Sequence, residues 1–354
     1  MDALSHILAA VRSGVPAASR SSSRAPWGVR FPKADSATVH VVLEGSCWLL
    51  PDVGGPVRLG VGDVVFTPHG DSHVLADQPD SPVVDYRPQP SEESPVDQMR
   101  IPGGGAVTEL LCAGYTFDPI RTHPLLDELP AEIHLPAQVG RHASLRGAIE
   151  LLGAELRDPR AGSSAAIPAL IDVLLLFVLR AWVEEQDGDT GWARALRDPE
   201  ISRALRVMHE RPGESWTLES LARTAGLSRA MFAKRFRTTV GQTPLGYLTW
   251  WRMTTAARLL RESDAPLQTI ADRCGYGSEF AFAKAFRREF GIAPGRYRRA
   301  GSAGLRLQGG AEEQPAVDDV LRARAEGRLR RGEEEEQPGD VGRLPEPGDG
   351  ERLG

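Results

Sequence analysis

The sequence has few cysteines, and those it has stand far apart. Cys47, Cys112 and Cys274 are the only three in 354 residues. Their spacing fits neither a zinc finger nor the disulfide framework of a small secreted domain. We therefore expect a fold that is not held together by cross-links or by a structural zinc ion.

The sequence also lacks a recognisable targeting segment. Its first residues, Met1 to His6, do not show the basic and then apolar layout of a signal peptide. The most apolar stretch, residues 167–183, includes Pro168, Asp172 and Arg180, and we predict that it is too short and too charged to cross a bilayer. These absences predict a cytoplasmic protein with no membrane partner.

A strong charge of one sign is absent from the chain as a whole, whose net charge is −6. The charge is nevertheless unevenly distributed. Residues 203–301 hold 18 Lys and Arg against 8 Asp and Glu, whereas residues 1–202 carry −11 and residues 302–354 carry −5. A basic segment within an acidic chain is typical of a protein that binds a polyanion.

Within the basic segment, residues 217–294 repeat one pattern. Leu218, Ala222 and Gly226 match residues 49 positions later, and residues from Ser228 to Pro244 match residues 50 positions later. One residue, most simply Gly277, has therefore been added in the second copy. An internal repeat of this kind indicates two copies of one structural unit.

Each copy has the pattern of a helix-turn-helix. Leu218, Leu221 and Ala222 form an apolar helical face, and a glycine follows where a left-handed residue ends a helix. Ser228 and Ser278 then occupy the N-cap of a second helix, whose phenylalanines recur every four residues. Helical hairpins with solvated lysines would explain one copy equally well. Two copies with basic residues on the same face favour DNA binding.

The segment from Pro244 to Leu260 resembles the connecting helix of the AraC/XylS family of transcription regulators. Residues 275–286, with Pro294 and Tyr297, resemble the C-terminal signature of that family. The resemblance implies two helix-turn-helix units on a long connecting helix, reading successive major grooves of promoter DNA that recur about every 34 Å. It also implies RNA polymerase as a partner if the protein is an activator.

Short strands with glycine-rich turns predict a barrel or jelly roll between Thr38 and Leu75. The segment from Gly60 to His73, with residues 1–5 and the strand from Cys112 to Phe117, resembles the cupin sensor domain of one group of AraC-type regulators. A helix is expected from Asp2 to Val11. A Ser, Arg and Pro-rich segment follows as far as about Arg30, and the strand pattern begins only at Thr38.

We therefore predict an α+β chain of four parts. A cupin-like β-barrel sensor covers residues 1–125, and a helical linker that forms a homodimer covers residues 126–200, with helices at about 143–157 and 165–185. An all-α DNA-binding domain covers residues 201–301, with helix-turn-helix units at about 217–238 and 267–290. Residues 302–354 are predicted to be a disordered acidic tail.

The outward positions of the two second helices are the candidate DNA contacts. Arg229, Lys234 and Lys284 are predicted at or near base edges, because lysine and arginine donate to guanine O6 and N7. Small or apolar neighbours allow close approach to thymine methyl groups, namely Ala230, Ala233, Phe280, Ala281 and Ala283. Glu279 shares this face, and the side chains predicted towards the DNA backbone are Arg237, Arg287 and Arg288.

Two of these interpretations stay open at the sequence level. Phe280 is equally compatible with a contact at a base edge and with packing back on its own core. Arg252, in the connecting helix, is compatible with a structural ion pair or a phosphate contact.

Candidate sensor residues are three histidines and two cysteines. His40, His69 and His73 suit a metal ion if they converge from adjacent strands, but the tight His-x-His and Glu pattern of a metal cupin is absent, so surface histidines are the competing interpretation. The resemblance to the sensor domain also implies redox sensing at Cys112. Cys47 would serve as its partner only if the fold brings the two within disulfide range, and otherwise both are buried, inert thiols.

The sequence thus predicts a regulator, not an enzyme, that responds to a small-molecule effector and requires no cofactor. One alternative is a metal-binding cupin with a DNA tether, which depends only on the three histidines. The other is architectural DNA binding, which would show no preferred site.

Overall fold

The computed structural model describes residues 2–12, 14–86, 99–117 and 122–299, and the predicted tail at 302–354 lies outside these ranges. Helix α1 (Ala3–Val11) opens the chain, as predicted. The strands that follow are β1 (Ala17–Arg24), β2 (Gly28–Phe31), β3 (Ser36–Glu44), β4 (Cys47–Pro51), β5 (Val57–Leu59), β6 (Val64–Thr67), β7 (His73–Ala76), β8 (Val84–Asp85), β9 (Arg100–Ile101) and β10 (Val107–Thr116). Short helix α2 (Pro124–Asp127) then leads to β11 (Ile133–Leu135).

These strands form two sheets packed face to face. The larger sheet has the order β11-β6-β3-β10-β1-β9, and the smaller has the order β5-β4-β7-β2-β8. Their inner faces share one apolar core, whose fully buried members include Trp27, Val29, Val42, Leu49, Val65, Leu75 and Leu110. The predicted cupin-like barrel is therefore present as a flattened, two-sheet sandwich. Its larger sheet extends past the predicted boundary at residue 125, because β11 pairs with β6.

The larger sheet is buried on both faces, which explains its long apolar runs. On β3, His40 and Val42 point towards the smaller sheet, while Val39 and Val41 point towards two helices. These helices are α3 (Ala143–Arg157) and α4 (Ser163–Glu185), close to the predicted bounds.

The Ser, Arg and Pro-rich segment also forms strands, whereas the strand pattern in the sequence was predicted to begin only at Thr38. It contains β1, which pairs with β10 over eight residues from Ala17 to Arg24, and β2, which pairs with β7. Serine and arginine are not among the β-branched and aromatic residues that are enriched in strands, so the local sequence gives little signal. The pairing with β10 on one side and β9 on the other decides the conformation.

Helix α4 has the length and composition of a membrane span, with 23 residues and a mean hydropathy of 2.1 over its most apolar window. The prediction that this stretch is too short and too charged is therefore wrong. Half of the window is buried inside the protein, where Leu174, Val178 and Leu179 have almost no exposed surface. Largely buried core helices meet the same criterion, and α4 occupies the position of one.

Seven longer helices follow: α5 (Gly191–Arg197), α6 (Pro199–Glu210), α7 (Leu218–Ala225), α8 (Arg229–Val240), α9 (Pro244–Glu262), α10 (Leu267–Arg273) and α11 (Glu279–Phe290). A short helical segment at residues 294–299 ends the described part of the chain. Helix α9 belongs to two cores. As far as Trp251 it packs with α6, α7 and α8 in a core that continues into the N-terminal half. From Met253 onward it packs with α10 and α11 in a separate core. Its 19 residues span about 28 Å at 1.5 Å per residue.

The packing of α11 can be tested by replacing each of two phenylalanines with alanine, one of them buried and the other exposed. Phe286 is fully buried, and we expect Phe286→Ala to lower the free energy of unfolding by about 3–5 kcal/mol through lost burial and a cavity. Phe280 is 81% exposed, so Phe280→Ala should change it by less than about 0.5 kcal/mol. Urea unfolding followed by far-ultraviolet circular dichroism measures both. Equal losses in the two variants would contradict the assigned orientation of α11.

Candidate nucleic-acid interface

The first reader, which we define as α7 and α8, is fixed at each end by local hydrogen bonds. Thr217 and Ser220 form a reciprocal capping box at the start of α7. Gly226 ends that helix at a φ of 76°, in the left-handed region that glycine occupies without strain. Ser228 then caps α8 by accepting from the backbone N–H of Met231 at 3.3 Å. The predicted helix-turn-helix is therefore formed.

The second reader, α10 and α11, repeats this geometry with a longer turn between its helices. Ser278 caps α11 by accepting from the backbone N–H of Ala281 at 3.2 Å. Gly275 has a φ of 76°, and a Cβ there would lie 2.8 Å from the Arg252 guanidinium and 2.9 Å from the Gly213 carbonyl oxygen. Both conformation and space therefore require glycine at this turn.

Each reading helix is anchored by two phenylalanines one turn apart. Phe232 and Phe236 are fully buried with ring centroids 5.5 Å apart, and Phe282 and Phe286 are fully buried at 5.7 Å. Aromatic pairs at this separation and tilt pack favourably. Because both rings of each pair point inward, the same opposite face of α8 and of α11 is left to the solvent.

That opposite face carries the residues predicted to contact DNA. Exposed on α8 are Arg229, Ala230, Lys234 and Arg237, and Ala233 is half-buried between them. Exposed on α11 are Glu279, Phe280, Ala281, Lys284, Arg287 and Arg288, and Ala283 is half-buried. From the first phenylalanine to the second, the sequence of buried and exposed positions is identical in the two helices.

Two exposed apolar side chains distinguish these faces. Phe280 does not pack back on its core, as one of its two interpretations proposed, because it is 81% exposed. Met231, which the sequence reasoning did not single out, is 53% exposed on α8. Met231 occupies the position in α8 that Ala281 occupies in α11, so the repeat in the sequence already placed it on the outward face. The two readers therefore present different apolar groups on the same face.

Arg252 binds the loop between α6 and α7 instead of facing outward. Its Nε and Nη2 donate to the carbonyl oxygens of Pro212 and Glu214, each at 2.7 Å. Burial lowers the pKa of Arg252, an effect opposed by nearby Tyr276 and Cys274. The structural interpretation is supported, although the partners are backbone carbonyls and not the expected carboxylate.

Arg235 shows that a basic residue on a reading helix can be internal. The fully buried carboxylate of Asp198 accepts from Arg235 Nε at 2.5 Å, and Glu200 accepts from its Nη2 at 3.2 Å. Asp198 also caps α6 by accepting from the backbone N–H groups of Glu200 and Ile201. These bonds fix α8 against α6, so Arg235 is engaged within the protein.

In the sensor half, the three candidate histidines do not converge on one site. His69 Nε2 lies 2.9 Å from the Leu129 carbonyl oxygen, away from the other two, whereas His40 and His73 approach within 2.9 Å through their Nε2 atoms. Across the described ranges, no group of three or more His, Cys, Asp or Glu side chains is arranged to hold a metal ion.

Cys112 joins the histidine pair and not Cys47. His73 Nδ1 lies 2.9 Å from the Asp71 carbonyl oxygen, which only accepts, so this nitrogen carries the proton. His40 Nε2–H then donates to His73 Nε2, and His40 Nδ1 accepts from the Cys112 thiol at 3.0 Å. Cys47 is an unpaired thiol in the buried core, and burial with nearby Asp63 raises its pKa to about 12. A redox role for the two cysteines stays a prediction.

Comparison with known proteins agrees with this geometry. The cupin family profile matches residues 2–184, and a helix-turn-helix domain profile matches residues 221–300. An AraC-like transcription regulator of Streptomyces lividans is 34% identical over 301 residues, which is 84% of this chain and 98% of that protein. The regulator AlkR of Acinetobacter baylyi is 30% identical over 84% of this chain and 99% of its own length.

The chain belongs to the AraC family of transcription regulators. As an AraC-family regulator it combines a cupin ligand-binding domain with a helix-turn-helix DNA-binding domain. Among solved structures, the DNA-binding domain of AdpA in complex with a target DNA is 37% identical, covering 30% of this chain and 95% of that chain with a TM-score of 0.28.

The Asp198–Arg235 pair gives this regulator a pH-dependent stability. Burial on its own raises the pKa of Asp198, but the bonds from Ile201, Glu200 and Arg235 outweigh it and hold the pKa below its usual value. The stabilisation is therefore present above the unfolded-state pKa of about 3.9 and is lost as the pH falls through the lower folded-state value.

We expect Asp198→Asn, which keeps the helix cap, to destabilise the protein at pH 7 by about 1–2 kcal/mol, because Arg235 is partly exposed to solvent screening. The loss should shrink as the pH falls below 4. Urea titrations between pH 3 and pH 7 measure it. The control is Glu219→Gln. Glu219 pairs with Arg223, and because both side chains are 77% exposed, this pair should contribute nothing measurable to the free energy of unfolding. A pH-independent loss in Asp198→Asn would show that the charge is not involved.

Proposed function

We propose that this AraC-family regulator reads promoter DNA through the outward faces of α8 and α11. The observation that carries the proposal is the identical order of buried and exposed positions on the two helices, with a lysine at the same exposed position of each. The span of α9, about 28 Å, is comparable to the groove repeat of about 34 Å that two readers on one side of the duplex must bridge.

The composition of the chain makes these two lysines unusual. Of the 42 basic residues, only three are lysines: Lys33, Lys234 and Lys284. Two of the three therefore occupy one equivalent position in the two readers. Lysine presents a compact charge on a flexible stem, and it reaches guanine O6 and N7 from a helix lying in the major groove.

We assign the remaining outward residues by chemistry. Arg229, Lys234 and Lys284 contact bases or lie near them, and Arg237, Arg287 and Arg288 neutralise phosphates. The alanines Ala230, Ala233, Ala281 and Ala283 leave room for the duplex. Phe280 on α11 and Met231 on α8 are exposed apolar groups suited to thymine methyl groups. The two half-sites should therefore differ in sequence.

A binding series tests this division. An operator is first selected from random DNA, which also separates a sequence-specific regulator from an architectural protein. Lys234→Ala should then weaken binding to the selected site by about 1–3 kcal/mol and weaken binding to random DNA less, whereas Arg237→Ala should weaken both alike. Lys33→Ala makes the same substitution on the surface of the sensor half, and it should change binding to neither DNA. Equal losses on both DNAs in Lys234→Ala would refute its role in reading.

The three lysines also allow a direct measurement on the unmodified chain. Amine-reactive acylation followed by peptide mass spectrometry reports the accessibility of Lys33, Lys234 and Lys284 together. Operator DNA should protect Lys234 and Lys284 and leave Lys33 reactive. Protection of only one reader lysine would restrict DNA contact to that reader.

For the sensor half, we infer a polar small-molecule effector bound between the two sheets. The hydroxyls of Ser21 and Ser23 and the indole N–H of Trp27 are buried, with no hydrogen-bond partner among the described residues. Both serines lie on the inner face of β1, opposite Thr108 and Leu110. Buried polar groups without partners are rare in native folds, and a bound polar molecule would satisfy them.

The wider role is that of its relatives, which are transcription regulators. We infer from this that the protein acts in the cytoplasm by binding and not by catalysis, and that RNA polymerase is its partner if it activates transcription. The metal-cupin alternative loses its main support, because His69 is separated from His40 and His73.

We further propose a homodimer through α3 and α4. Leu151 on α3 and Val173 on α4 are exposed apolar side chains, and Phe177 is only half-buried one turn further along α4. Glutamate in place of Val173 should shift the full chain from dimer to monomer in sedimentation at micromolar concentration. The matched variant Val139→Glu changes a fully exposed valine outside these helices and should leave the dimer intact. A wild-type chain that sediments as a monomer would refute the proposal.

A further inference from the structure

A buried chain of hydrogen bonds connects the sensor half to the connecting helix of the readers. His123, immediately before α2, is fully buried, and its Nε2 lies 3.1 Å from the hydroxyl oxygen of Tyr247 on α9. The same hydroxyl lies 2.7 Å from Nε2 of His209 on α6. Tyr247 is itself fully buried, so none of these groups exchanges its partner with bulk water.

The direction of each bond follows from its neighbours. His123 Nδ1 accepts from the backbone N–H of Leu125 at 3.0 Å, and burial lowers the pKa of His123 to about 3, so the ring is neutral with its proton on Nε2. His123 Nε2–H therefore donates to the Tyr247 oxygen. The Tyr247 hydroxyl has one proton, which it donates to His209 Nε2. The chain thus has a single orientation from Leu125 to His209.

The packing around this chain restricts its members further. The His123 ring meets Trp192 edge-on at a centroid distance of 4.6 Å, and the His209 ring stacks on Trp251 at 3.8 Å. His209 Nδ1, which then carries a proton, is buried with no partner among the described residues. The two bonds to the Tyr247 hydroxyl favour the arrangement of α2, α6 and α9 in which they form.

The position of His123 in the fold shows which parts of the protein this chain of hydrogen bonds connects. Helix α2 lies between β10 and β11, two strands of the larger sheet, which also carries His40 and Cys112. At the other end, α9 carries the first reader on its N-terminal half and the second on its C-terminal half.

We propose that His123 is the positioning residue through which the state of the cupin sheet reaches both readers, by way of its hydrogen bond to Tyr247. The proposal goes beyond the assignment of DNA contacts and does not depend on which side chains read bases. Coupling between two binding sites is reciprocal. DNA bound at the readers must therefore alter α2, and this consequence is measurable although the effector is unidentified.

The test is hydrogen–deuterium exchange of the full chain with and without its selected operator. In the wild type, DNA should slow amide exchange in α2 and β11 by about fivefold or more, the lower end of coupling between sites. Tyr247→Phe, which removes only the hydroxyl, should reduce this effect to less than about twofold. The DNA affinity should change less than about threefold, because Tyr247 is buried and makes no contact with DNA.

Two substitutions of His123 separate the hydrogen bond from the helix cap. Asparagine retains an acceptor for the Leu125 N–H but is too short to reach Tyr247, so His123→Asn should abolish the effect of DNA on α2 as Tyr247→Phe does. Glutamine places an amide N–H near the position of the imidazole Nε2, so His123→Gln should restore it. These variants also keep the test decisive if Tyr247→Phe fails to fold.

Tyr297→Phe is the matched control, because it removes a tyrosine hydroxyl that accepts from Arg261 of α9 at 2.7 Å, in the core shared by α9, α10 and α11. It should leave the response of α2 intact. Three results would overturn the proposal: no response of α2 to DNA in the wild type, an undiminished response in Tyr247→Phe and His123→Asn, or an equal loss in Tyr297→Phe. A response of α2 without protection of α8 and α11 would instead refute the assigned DNA contacts alone.

Discussion

The burial of two phenylalanines one turn apart on each reading helix is the constraint on which the DNA-binding half depends. A helix has one face opposite its buried face, so fixing Phe232 and Phe236, or Phe282 and Phe286, inside a core also fixes what points outward. Lys234 and Lys284 are exposed for this reason. The reading surface is therefore a consequence of core packing, and its precision is limited by how well the rings are held.

The same constraint explains why the two readers tolerate different chemistry outside their cores. Arg229 of the first reader and Glu279 of the second stand at equivalent helix positions. The exposed apolar residues, Met231 and Phe280, stand one position apart in the repeat. None of these side chains contributes to the buried aromatic pairs. Side chains on either outward face can thus change without a change in fold.

The first reader is continuous with the sensor half, and the second is not. One apolar core extends from the helices beside the larger sheet through α6 and α8 to Trp251, whereas α10 and α11 pack in a core of their own. Polar bonds reinforce the shared junction: Asp198 holds Arg235 of α8, and Tyr247 holds His123 and His209. Of the two readers, only the first therefore shares an apolar core with the sensor half.

The sequence by itself determined the repeated helix-turn-helix units, the outward lysines and the cupin resemblance, because these depend on local periodicity, caps and glycines at fixed spacing. It did not determine β1 and β2, whose Ser and Arg-rich segments become strands only through pairing with β10 and β7. Nor did it show that Cys112 joins His40 instead of Cys47, that Arg235 is internal, or that His123 meets Tyr247, 124 positions away. Tertiary structure decided these contacts, because a hydrogen bond between distant residues depends on the packing of whole elements and leaves no periodic signal in the chain.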